Sequence, residues 1–549
     1  MRSVFRHTGV IWRMTAHCVV FAGLIAMVIG CDTIGGVFDE DGPGGTPITE
    51  GFFGGVVGDD PRAVLAARTI LTNGGTAADA AAAYYFMSAV SLPATSSLGA
   101  GGVCMVYDKG QNQTQLLDFR NGMAGGSMAP GARAIGLPGA VRGMFAIYAR
   151  FGKLSWTDVV APAERAARFG IPVSRGLASD LALVGAALME DPAARAIFGG
   201  PDGQVLGEGD TLVQRDLAGM LSYIRTRGAG DFYSGLSATQ FIEGVAATGV
   251  TLPSANLRGF VPHWREPALR ALPWTILGSE SETKVPGAGF DGGPIMLWSW
   301  DMLDGGARLA QATAPDLRAH LIAEVALRDA VARGLMADEL PEPDDGAALM
   351  ATYDPAAATP LSMLPGPPVV LQESPAASGF VVVDAYGNAV SCATTMNNLF
   401  GNGRVAPGTG IVLAAEPGPV RGNGMSLLPV LTVNENAREV IFAGVVTGGV
   451  LSGPLMASVV SDILANDVSL ADAIAAPRVF HPGDPDVVVV EPEVGDAVVQ
   501  GLLARGHDVR TVPELGLIQG ISCPDGLRNG SGSCRFVTDP RGFGLGVGG

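Results

Sequence analysis

The first part of the chain alternates Ala-rich helical segments with short apolar strands. Apolar positions at helical spacing predict two helices over residues 61–92, separated by Asn73-Gly74-Gly75. A short apolar strand is predicted at 103–107, with a hairpin partner at 114–120. Further along, the pattern predicts mostly helix over 141–170 and 176–335 and an exposed Pro- and Ala-rich connection over 337–376.

The pattern becomes rich in strands close to residue 379. Residues 379–384 and 389–395 are predicted to be strands, joined by a turn at 385–388. Further candidates are strands at 410–415, 428–434, 439–445 and 487–491 and a helix at 452–466. The whole pattern therefore predicts an α+β protein.

The N-terminus has the pattern of an export signal. Arg2, Arg6 and Arg13 precede an apolar run over 19–29, which is too short for a comfortable membrane span. The run ends beside Cys31 in the pattern of a bacterial lipoprotein, where this Cys is lipidated and begins the mature chain. An ordinary cleaved signal and an uncleaved anchor are the alternatives.

These features predict an envelope protein whose chain begins with a signal peptide and a tether. Residues 1–30 form the lipoprotein signal peptide, and the Gly-, Pro- and Asp-rich residues 31–52 form a flexible tether. We expect the remaining chain to be exported, anchored to the membrane through the lipid on Cys31, and facing the periplasm.

Composition narrows the function classes. The 549 residues include 53 acidic and 35 basic ones, which gives a net charge of -18. Nucleic-acid binding needs a basic surface, so nucleic acid is not expected as a partner. Hydrophobic residues make up 48% of the chain, which excludes a disordered protein.

The cysteines fit an exported chain. Cys104 and Cys392 lie in apolar runs and are predicted to be buried thiols. Cys523 and Cys534 flank a turn-rich segment and are predicted to close a short disulfide loop in an oxidising compartment, with a metal site as the less favoured alternative.

Common catalytic and cofactor signatures are missing. The sequence has no Gly-x-Ser-x-Gly elbow, no Walker loop and no His-Glu-x-x-His, and the Gly-rich tail 542–549 lacks the context of a phosphate loop. The histidines outside the signal have no metal-ligand spacing and are predicted to be surface or core residues: His263, His320, His481 and His507. Neither a metal nor an organic cofactor is expected.

An ordered series of blocks resembles one family across about residues 54–541. The blocks are Asn73–Ala81, Leu98–Gly102, Asp118–Arg120, Gly136–Val141, Asp384–Ser391, Thr395–Asn398, Gly448–Gly449, Ala476–Arg478 and Asp539–Arg541. The chain resembles the gamma-glutamyltransferase (glutathione hydrolase) family. That resemblance implies an N-terminal-nucleophile hydrolase fold, in which two stacked, mainly antiparallel sheets lie between helix layers in an αββα sandwich.

The resemblance also implies two regions that build one core. In that family a precursor cuts itself into a large and a small subunit, which here correspond to residues 53–376 and 377–549. The first residue of the small subunit supplies the nucleophile, and its freed α-amine acts as the base.

The family's nucleophile position is occupied here by a residue without a hydroxyl group. The family pattern is Thr-Thr-His, a strand, and then Asp-x-x-Gly-Asn. Counting back from Asp384 places the nucleophile at Ala377, followed by Ser378 and by Gly379 where the family has His. Either the nucleophile is lost, or Ser378 serves after a slip of one residue. Because side chains alternate along a strand, Ser378 is expected to point to the opposite face.

Other positions match the family's site. The resemblance makes Arg120 the residue that grips a substrate α-carboxylate, although a structural salt bridge is the alternative. Thr395 and Asn397 match residues that assist the nucleophile and bind substrate, and Gly448 and Gly449 match the pair that supplies the oxyanion hole.

Several positions depart from the family's site. Pro419 falls where the family has the Asp that binds the substrate amine, and Glu416 falls where Gln or Asn is usual. Met425-Ser426 replaces a Ser-Ser pair and leaves Ser426 as a candidate substrate contact. The segment before Met425 is short, so a substrate lid is not expected.

Three functions remain open at this stage. The first is an active amidohydrolase that uses Ser378 on a different amide. The second is a lipid-anchored protein that has impaired or lost γ-glutamyl transfer and binds a small amide or γ-glutamyl-like ligand. The third is a purely structural envelope lipoprotein. The sequence leaves the oligomeric state open.

Overall fold

The structure is a computed structural model that describes most of the chain after the signal and tether. It describes residues 51–276, 279–287, 289–290, 292–304, 306–335, 343–368, 376–418, 426–527 and 533–549. The signal segment with Cys31, and Pro419 and Met425 with the shortened segment between them, lie outside the described residues.

The strands are labelled in chain order, each with its residue range. They are β1 (Gly54–Gly58), β2 (Gly101–Asp108), β3 (Gln113–Asp118), β4 (Gly122–Met123), β5 (Gly136–Leu137), β6 (Ile171–Pro172), β7 (Thr211–Leu212), β8 (His263–Arg265), β9 (Ala268–Ile276), β10 (Ser279–Val285), β11 (Ala377–Asp384), β12 (Ala389–Thr395), β13 (Val405–Ala406), β14 (Ile411–Val412), β15 (Leu428–Asn434), β16 (Glu439–Thr447), β17 (Val479–Phe480), β18 (Val488–Val490), β19 (Val509–Thr511), β20 (Leu517–Ser522), β21 (Arg535–Thr538) and β22 (Leu545–Gly548).

The helices are numbered in the same way. They are α1 (Pro61–Thr72), α2 (Ala77–Ser91), α3 (Ala140–Phe151), α4 (Trp156–Phe169), α5 (Arg175–Leu188), α6 (Pro192–Phe198), α7 (Arg215–Arg227), α8 (Asp231–Ser234), α9 (Leu236–Ala247), α10 (Ser254–Gly259), α11 (Gly292–Met302), α12 (Ala307–Gln311), α13 (Pro315–Leu335), α14 (Pro343–Leu349), α15 (Ser452–Ala465), α16 (Leu470–Ala475) and α17 (Asp496–Ala504). In the described part of the chain, no helix combines the length and apolar character that crossing a bilayer requires.

Two antiparallel sheets form the centre of the protein. A seven-stranded sheet has the order β22-β1-β11-β12-β2-β3-β8, and a six-stranded sheet has the order β21-β20-β16-β15-β10-β9. The seven-stranded sheet combines strands from before and after residue 377. Neither part of the chain could therefore complete this sheet alone.

Alternating side chains place the sheets between two helix layers. Along β11, Phe380 and Val382 pack with the helices α1 and α2, whereas Val381 and Val383 pack against the second sheet. The outer face of the second sheet packs against α11 and α15. These layers form an αββα sandwich, so the expected fold class is confirmed.

The Ala-rich helix α2 shows why the sequence selects this arrangement. All its residues are buried, and their small side chains allow close approach to neighbouring elements on every side. The helix begins at Thr76, whose hydroxyl accepts from the Asp79 N–H while the Asp79 carboxylate accepts from the Thr76 N–H. This capping box fixes the start of the helix.

Several predicted elements are confirmed by the structure. The two helices in 61–92, the strand pair around the turn at 385–388, and the helix at 452–466 all lie where the pattern predicted them. The expectation of mostly helix over 176–335 is wrong between residues 268 and 285, where β9 and β10 form a hairpin. The polar residues of β10 did not indicate a buried strand. Thr283 is nevertheless buried in the sheet, where its hydroxyl contacts that of Thr432 at 2.9 Å.

The Gly-rich tail also forms a strand. Residues 545–548 form β22, which pairs with β1 at the edge of the seven-stranded sheet. Gly548 is required there because a β-carbon at this position would lie 2.1 Å from Cε2 of Phe536. The tail therefore closes the sheet and is unrelated to phosphate binding.

Cys104 and Cys392 are buried as predicted, but they are not free thiols. Cys104 and Cys392 are directly opposite each other on β2 and β12 and form a disulfide. The sequence could not reveal this bond, because 288 positions separate the two residues. A second disulfide joins Cys523 and Cys534.

We expect the disulfide between β2 and β12 to contribute more stability than the short one, because it closes a far longer loop in the unfolded chain. Cys104→Ala/Cys392→Ala should lower the free energy of unfolding by about 2–4 kcal/mol. Cys523→Ala/Cys534→Ala is the matched control and should lower it less. Urea denaturation measures both, and a larger loss in the control pair would contradict the prediction.

Candidate active site

The candidate site is built on the pairing of β11 with β12. Their register places Ala377 opposite Thr395, and Ser378 opposite Thr394. Ala377, the position that the resemblance gives to the nucleophile, is the first residue of β11. The segment that precedes it, 369–375, lies outside the described residues.

A buried carboxylate fixes the turn between these two strands. Asp384 accepts hydrogen bonds from the backbone N–H groups of Tyr386 and Asn388, both at 2.9 Å, and from the Asn388 side-chain amide. It also accepts from the N–H of Ala77 at the start of α2 at 2.8 Å. Burial raises the pKa of Asp384, and these hydrogen bonds act in the opposite direction. The motif is therefore a clamp between the turn and a helix N-terminus.

Two donors hold the carbonyl group immediately before Ala377. The Thr395 hydroxyl donates to the Ala376 carbonyl oxygen at 2.9 Å, and the Met396 N–H donates to it at 3.2 Å. The Asn397 N–H in turn donates to the Thr395 hydroxyl at 2.9 Å. Two donors on one carbonyl oxygen would also stabilise the oxyanion formed if that carbonyl were attacked. The side chain of the next residue, Ala377, is a methyl group.

Ser378 lies on the other face of β11. On this strand Ala377 and Val381 belong to the layer between the two sheets. Because side chains alternate, Ser378 faces the helices, as Phe380 does. The residue is 1% exposed, and its hydroxyl makes no hydrogen bond of good geometry within the described residues. It lies near the Asp59 carboxylate and the Tyr84 hydroxyl and partly offsets the rise that burial causes in the pKa of both. The expectation that a one-residue slip changes the face agrees with this geometry.

The candidate oxyanion pair follows the end of β16. Gly448 and Gly449 come directly after Thr447. Thr447 lies close to β11, since a β-carbon on Gly379 would be 3.4 Å from its Cγ2. Arg333 connects this loop to another candidate residue, because it donates to the Val450 carbonyl at 2.6 Å and to the Ser426 hydroxyl at 3.3 Å. Ser426 is buried and is engaged in this structural contact.

Arg120 is held by an internal ion pair. Its Nε and Nη2 donate to the two carboxylate oxygens of Asp118 at 3.0 and 2.9 Å, and its Nη1 donates to the Gly289 carbonyl at 2.9 Å. The guanidinium also lies 3.9 Å from the ring centroid of Phe290. Burial by itself raises the pKa of Asp118, but the hydrogen bonds and charge of Arg120, with the charge of Arg265, lower it overall.

The predicted site residues are divided between two cavities. Arg120 and Glu416 line a cavity of about 780 Å³. Ala377 lines a different cavity of about 590 Å³. Asn397 lies at the boundary of the first, since its side-chain amide donates to the Ala415 carbonyl at 2.7 Å and to Asn121 at 3.5 Å.

Sequence reasoning missed the acidic residues around the start of β11. Asp59 accepts from the Gly379 N–H and from the Gln519 side chain, both at 2.6 Å. Burial raises the pKa of Asp59 to about 6. The sequence predicted only the helix that follows at residue 61, because residues far apart in the chain complete the cluster.

Two of the four histidines form a buried cluster. His320 and His507 are in contact through Nδ1 and Nε2 at 2.8 Å, and Glu324 completes a group whose potential ligand atoms all lie within 4.8 Å. Arg328 forms an ion pair with Glu324, and the second ring nitrogen of His320 contacts the Asp354 carbonyl at 2.8 Å. Because these partners already satisfy the group, we interpret it as a structural network. Its spatial clustering was invisible in the sequence spacing.

The family is decided by comparison with known proteins. A family profile described as Gamma-glutamyltranspeptidase matches residues 63–547. The chain belongs to the gamma-glutamyltranspeptidase family. The resemblance stated from the sequence blocks is thereby confirmed over most of the chain.

Relatives of this gamma-glutamyltranspeptidase-family chain include two kinds of proenzyme. It is 28% identical to the acylase ACY 1 proenzyme of Pseudomonas sp. strain V22, covering 89% of this chain and 93% of the relative. It is also 28% identical to the glutathione hydrolase proenzyme of Escherichia coli strain K12, covering 87% of this chain and 90% of that protein.

A solved structure supports the fold of this gamma-glutamyltranspeptidase-family member. Cephalosporin acylase from Bacillus halodurans matches with a TM-score of 0.74 and 21% identity, covering 93% of this chain and 98% of its own. At 21% identity this match supports only the fold of the chain and not its activity. That fold is the N-terminal-nucleophile hydrolase sandwich.

We expect Arg120→Ala to lower the free energy of unfolding at about pH 7 by about 1–3 kcal/mol, because Asp118 would lose its charged hydrogen-bond partner. Since the folded-state pKa of Asp118 is lowered, its contribution exists above its ordinary pKa and is lost as the pH falls through the lowered value. The difference from wild type should therefore shrink in acid. Urea denaturation across pH measures it.

The control for this prediction is Arg265→Ala. Arg265 is 44% exposed and contacts Asp118 at 3.3 Å, so its removal should cost less than about 1 kcal/mol. Equal stability of Arg120→Ala and wild type at neutral pH would contradict a structural role for Arg120.

Proposed function

We propose that this protein is an uncleaved, single-chain member of its family that does not perform γ-glutamyl transfer or hydrolysis. One observation carries the proposal: two donors hold the Ala376 carbonyl, but the following residue is Ala377. The donors that would assist attack on this carbonyl are in place, and the attacking hydroxyl is missing.

The chemistry explains why one missing oxygen would abolish both cleavage and turnover. Self-cleavage needs the hydroxyl of residue 377 to attack the Ala376 carbonyl carbon, after which the peptide C–N bond breaks and water hydrolyses the resulting ester. Turnover needs the same hydroxyl together with the α-amine that cleavage releases. Ala377 supplies neither the nucleophile nor a route to the free amine.

Ser378 is a poor replacement for the missing nucleophile. It points towards the helix layer, away from the face that Ala377 shares with the second sheet. A displacement of 1 Å already costs about 10²-fold in rate, and a change of face is a larger error. An active hydrolase that uses Ser378 is therefore the weaker alternative.

The retained ligand is proposed to be a small amide or a γ-glutamyl-like molecule. The relatives are named as glutathione hydrolases and as acylases, so membership of the family leaves the choice between these two substrate classes open. The cavity that contains Arg120 and Glu416 has a size typical of small-molecule sites. Glu416 is exposed there and is available to an amine or amide donor.

We place this protein in the bacterial envelope as a lipoprotein. The proposal rests on the export-signal pattern that ends beside Cys31. Two disulfides, Cys104–Cys392 and Cys523–Cys534, support it because such bonds persist in oxidising compartments.

The central test restores the hydroxyl. We expect purified wild type to remain one chain, and Ala377→Thr to cut itself before residue 377. Ala377→Val is the matched control, since Val has the shape of Thr but no hydroxyl. Intact mass and N-terminal sequencing detect the products, whose summed mass should exceed that of the chain by one water. A wild-type chain that is already cut before residue 377 or 378 would overturn the proposal.

Gels must be run with reductant, because the Cys104–Cys392 disulfide would keep the two fragments joined. In the Ala377→Thr background, Thr395→Val should slow cleavage about 100- to 1,000-fold by removing one donor to the Ala376 carbonyl. Thr394→Val is the matched control, because among the described residues the Thr394 hydroxyl donates to the Ser378 carbonyl alone, at 3.4 Å. Equal rates for the two variants would argue against a role for Thr395.

A separate variant tests the alternative nucleophile. Ser378→Ala in the wild-type background should leave chain integrity and any amidase activity unchanged, because Ser378 is buried on the other face. Intact mass and an assay with γ-glutamyl-p-nitroanilide measure both. Loss of cleavage or activity in Ser378→Ala would support the active hydrolase instead.

A further inference from the structure

A second cavity lies at the beginning of β11, and Ala377 is part of its wall. Its volume is about 590 Å³, within the range of small-molecule sites. The start of α1, the end of α2, the start of α5 and the C-terminal segment before β22 all contribute to its wall. It does not include Arg120 or Glu416, so it is distinct from the cavity in which we propose a γ-glutamyl-like ligand.

The wall of this cavity carries an excess of negative charge. The acidic side chains are Asp59, Asp60, Asp180, Glu208 and Glu514, and the basic ones are Arg175 and Arg541. Both arginines already have acidic partners: Arg175 lies 3.2 Å from Glu208, and Arg541 lies 2.6 Å from Glu491. Neither guanidinium is available to balance the remaining carboxylates.

Two of these carboxylates lack a cationic partner in the described part of the chain. Asp59 receives neutral donors from Gly379 and Gln519, and Asp180 has no hydrogen bond or ion pair there. Burial raises the pKa of Asp180 to about 7, and the charge of Asp59 adds to the increase. A bound cation would relieve both the repulsion and the loss of solvation.

An unpartnered hydroxyl provides an independent indication of a ligand. Thr95, just beyond the end of α2, lines the same cavity and is 6% exposed. Its Oγ1 has no hydrogen-bond partner among the described residues. Buried hydroxyl groups are normally hydrogen-bonded, so a polar ligand atom would complete this site.

We propose that this cavity binds an organic cation with a primary ammonium or guanidinium group on a short aliphatic body. The carboxylates of Asp59 and Asp180 would receive the charged group, and Thr95 would supply a further polar contact. Apolar wall residues would cover the aliphatic part: Leu92, Leu183, Leu399 and Leu517.

An organic cation fits the geometry better than a metal ion does. The acidic residues of this cavity do not bring three ligand atoms into chelating range, since the His320 cluster is the one such group in the described part of the chain. An ammonium group needs fewer converging oxygens and tolerates wider spacing. The inference rests on the uncleaved chain proposed above, because Ala377 lines this cavity.

The first test is calorimetric titration of the full chain with cadaverine, using the neutral pentanediol as the control ligand. We expect cadaverine to bind and the diol not to bind. Asp180→Asn should weaken binding about 10-fold or more, because it removes a charged hydrogen-bond acceptor. Glu190→Gln makes the same charge change at an exposed position outside the cavity and should leave the affinity unchanged.

The pH dependence supplies a second readout. Asp59 and Asp180 lose their charge as the pH falls through the raised pKa values, so cadaverine should bind more tightly at about pH 8 than at about pH 5. Several charged or titratable groups face this pair. They include Asp60, whose pKa burial also raises, Asp539, Tyr84, the Arg175–Glu208 pair, Glu514 and the paired Arg541. Asp180→Asn should flatten the upper part of this profile.

Thr95→Val guards against a folding artefact, because it changes no charge and nearly preserves shape. A loss of cadaverine affinity with an unchanged melting temperature supports the site. Equal affinity in wild type, Asp180→Asn and Thr95→Val would identify non-specific surface attraction and overturn the proposal. Binding of calcium without cadaverine, or no binding of either, would overturn it as well.

Discussion

The antiparallel register between β11 and β12 is the constraint on which the site depends. Asp384 fixes that register at one end by joining the turn to the N-terminus of α2. At the other end the same register brings Thr395 and Met396 to the Ala376 carbonyl. A shift of one residue would move every side chain of β11 to the opposite face. The clamp far from the site therefore determines which residue occupies the position next to that carbonyl.

The donors around the Ala376 carbonyl have a reason to exist without catalysis. A buried carbonyl left without a donor costs about 1–3 kcal/mol, and Thr395 and Met396 satisfy this one in the intact chain. Nothing in that hydrogen bonding requires a hydroxyl at residue 377. Folding stability alone is therefore a sufficient reason to retain the two donors. A hydroxyl at residue 377 would be required only for catalysis. This difference explains how the two can become separated in one protein.

The sequence predicted best those features that are periodic or local. Short apolar runs on either side of a turn located β11 and β12, and the Ala-rich pattern located α1 and α2. The β9–β10 hairpin was missed because Thr283 and its neighbours are polar, and the partner of Thr283 is Thr432 on the adjacent strand, far away in the sequence. The Cys104–Cys392 bond and the Asp59–Asp180 pair join residues distant in the chain, so no local pattern could reveal them. The family blocks supplied the positions of the site residues but not their partners.

Electrostatics separates the two cavities more clearly than their shapes do. On one side the charge of Arg120 is balanced by Asp118 within the protein, so a ligand carboxylate must compete with an existing ion pair. On the other side Asp59 and Asp180 are partly buried and have no cationic partner among the described residues. A buried charge that lacks a partner is more costly than one already paired. A ligand cation beside β11 would therefore meet carboxylates without a cationic partner, whereas a ligand carboxylate beside Arg120 would have to compete with Asp118 for the guanidinium.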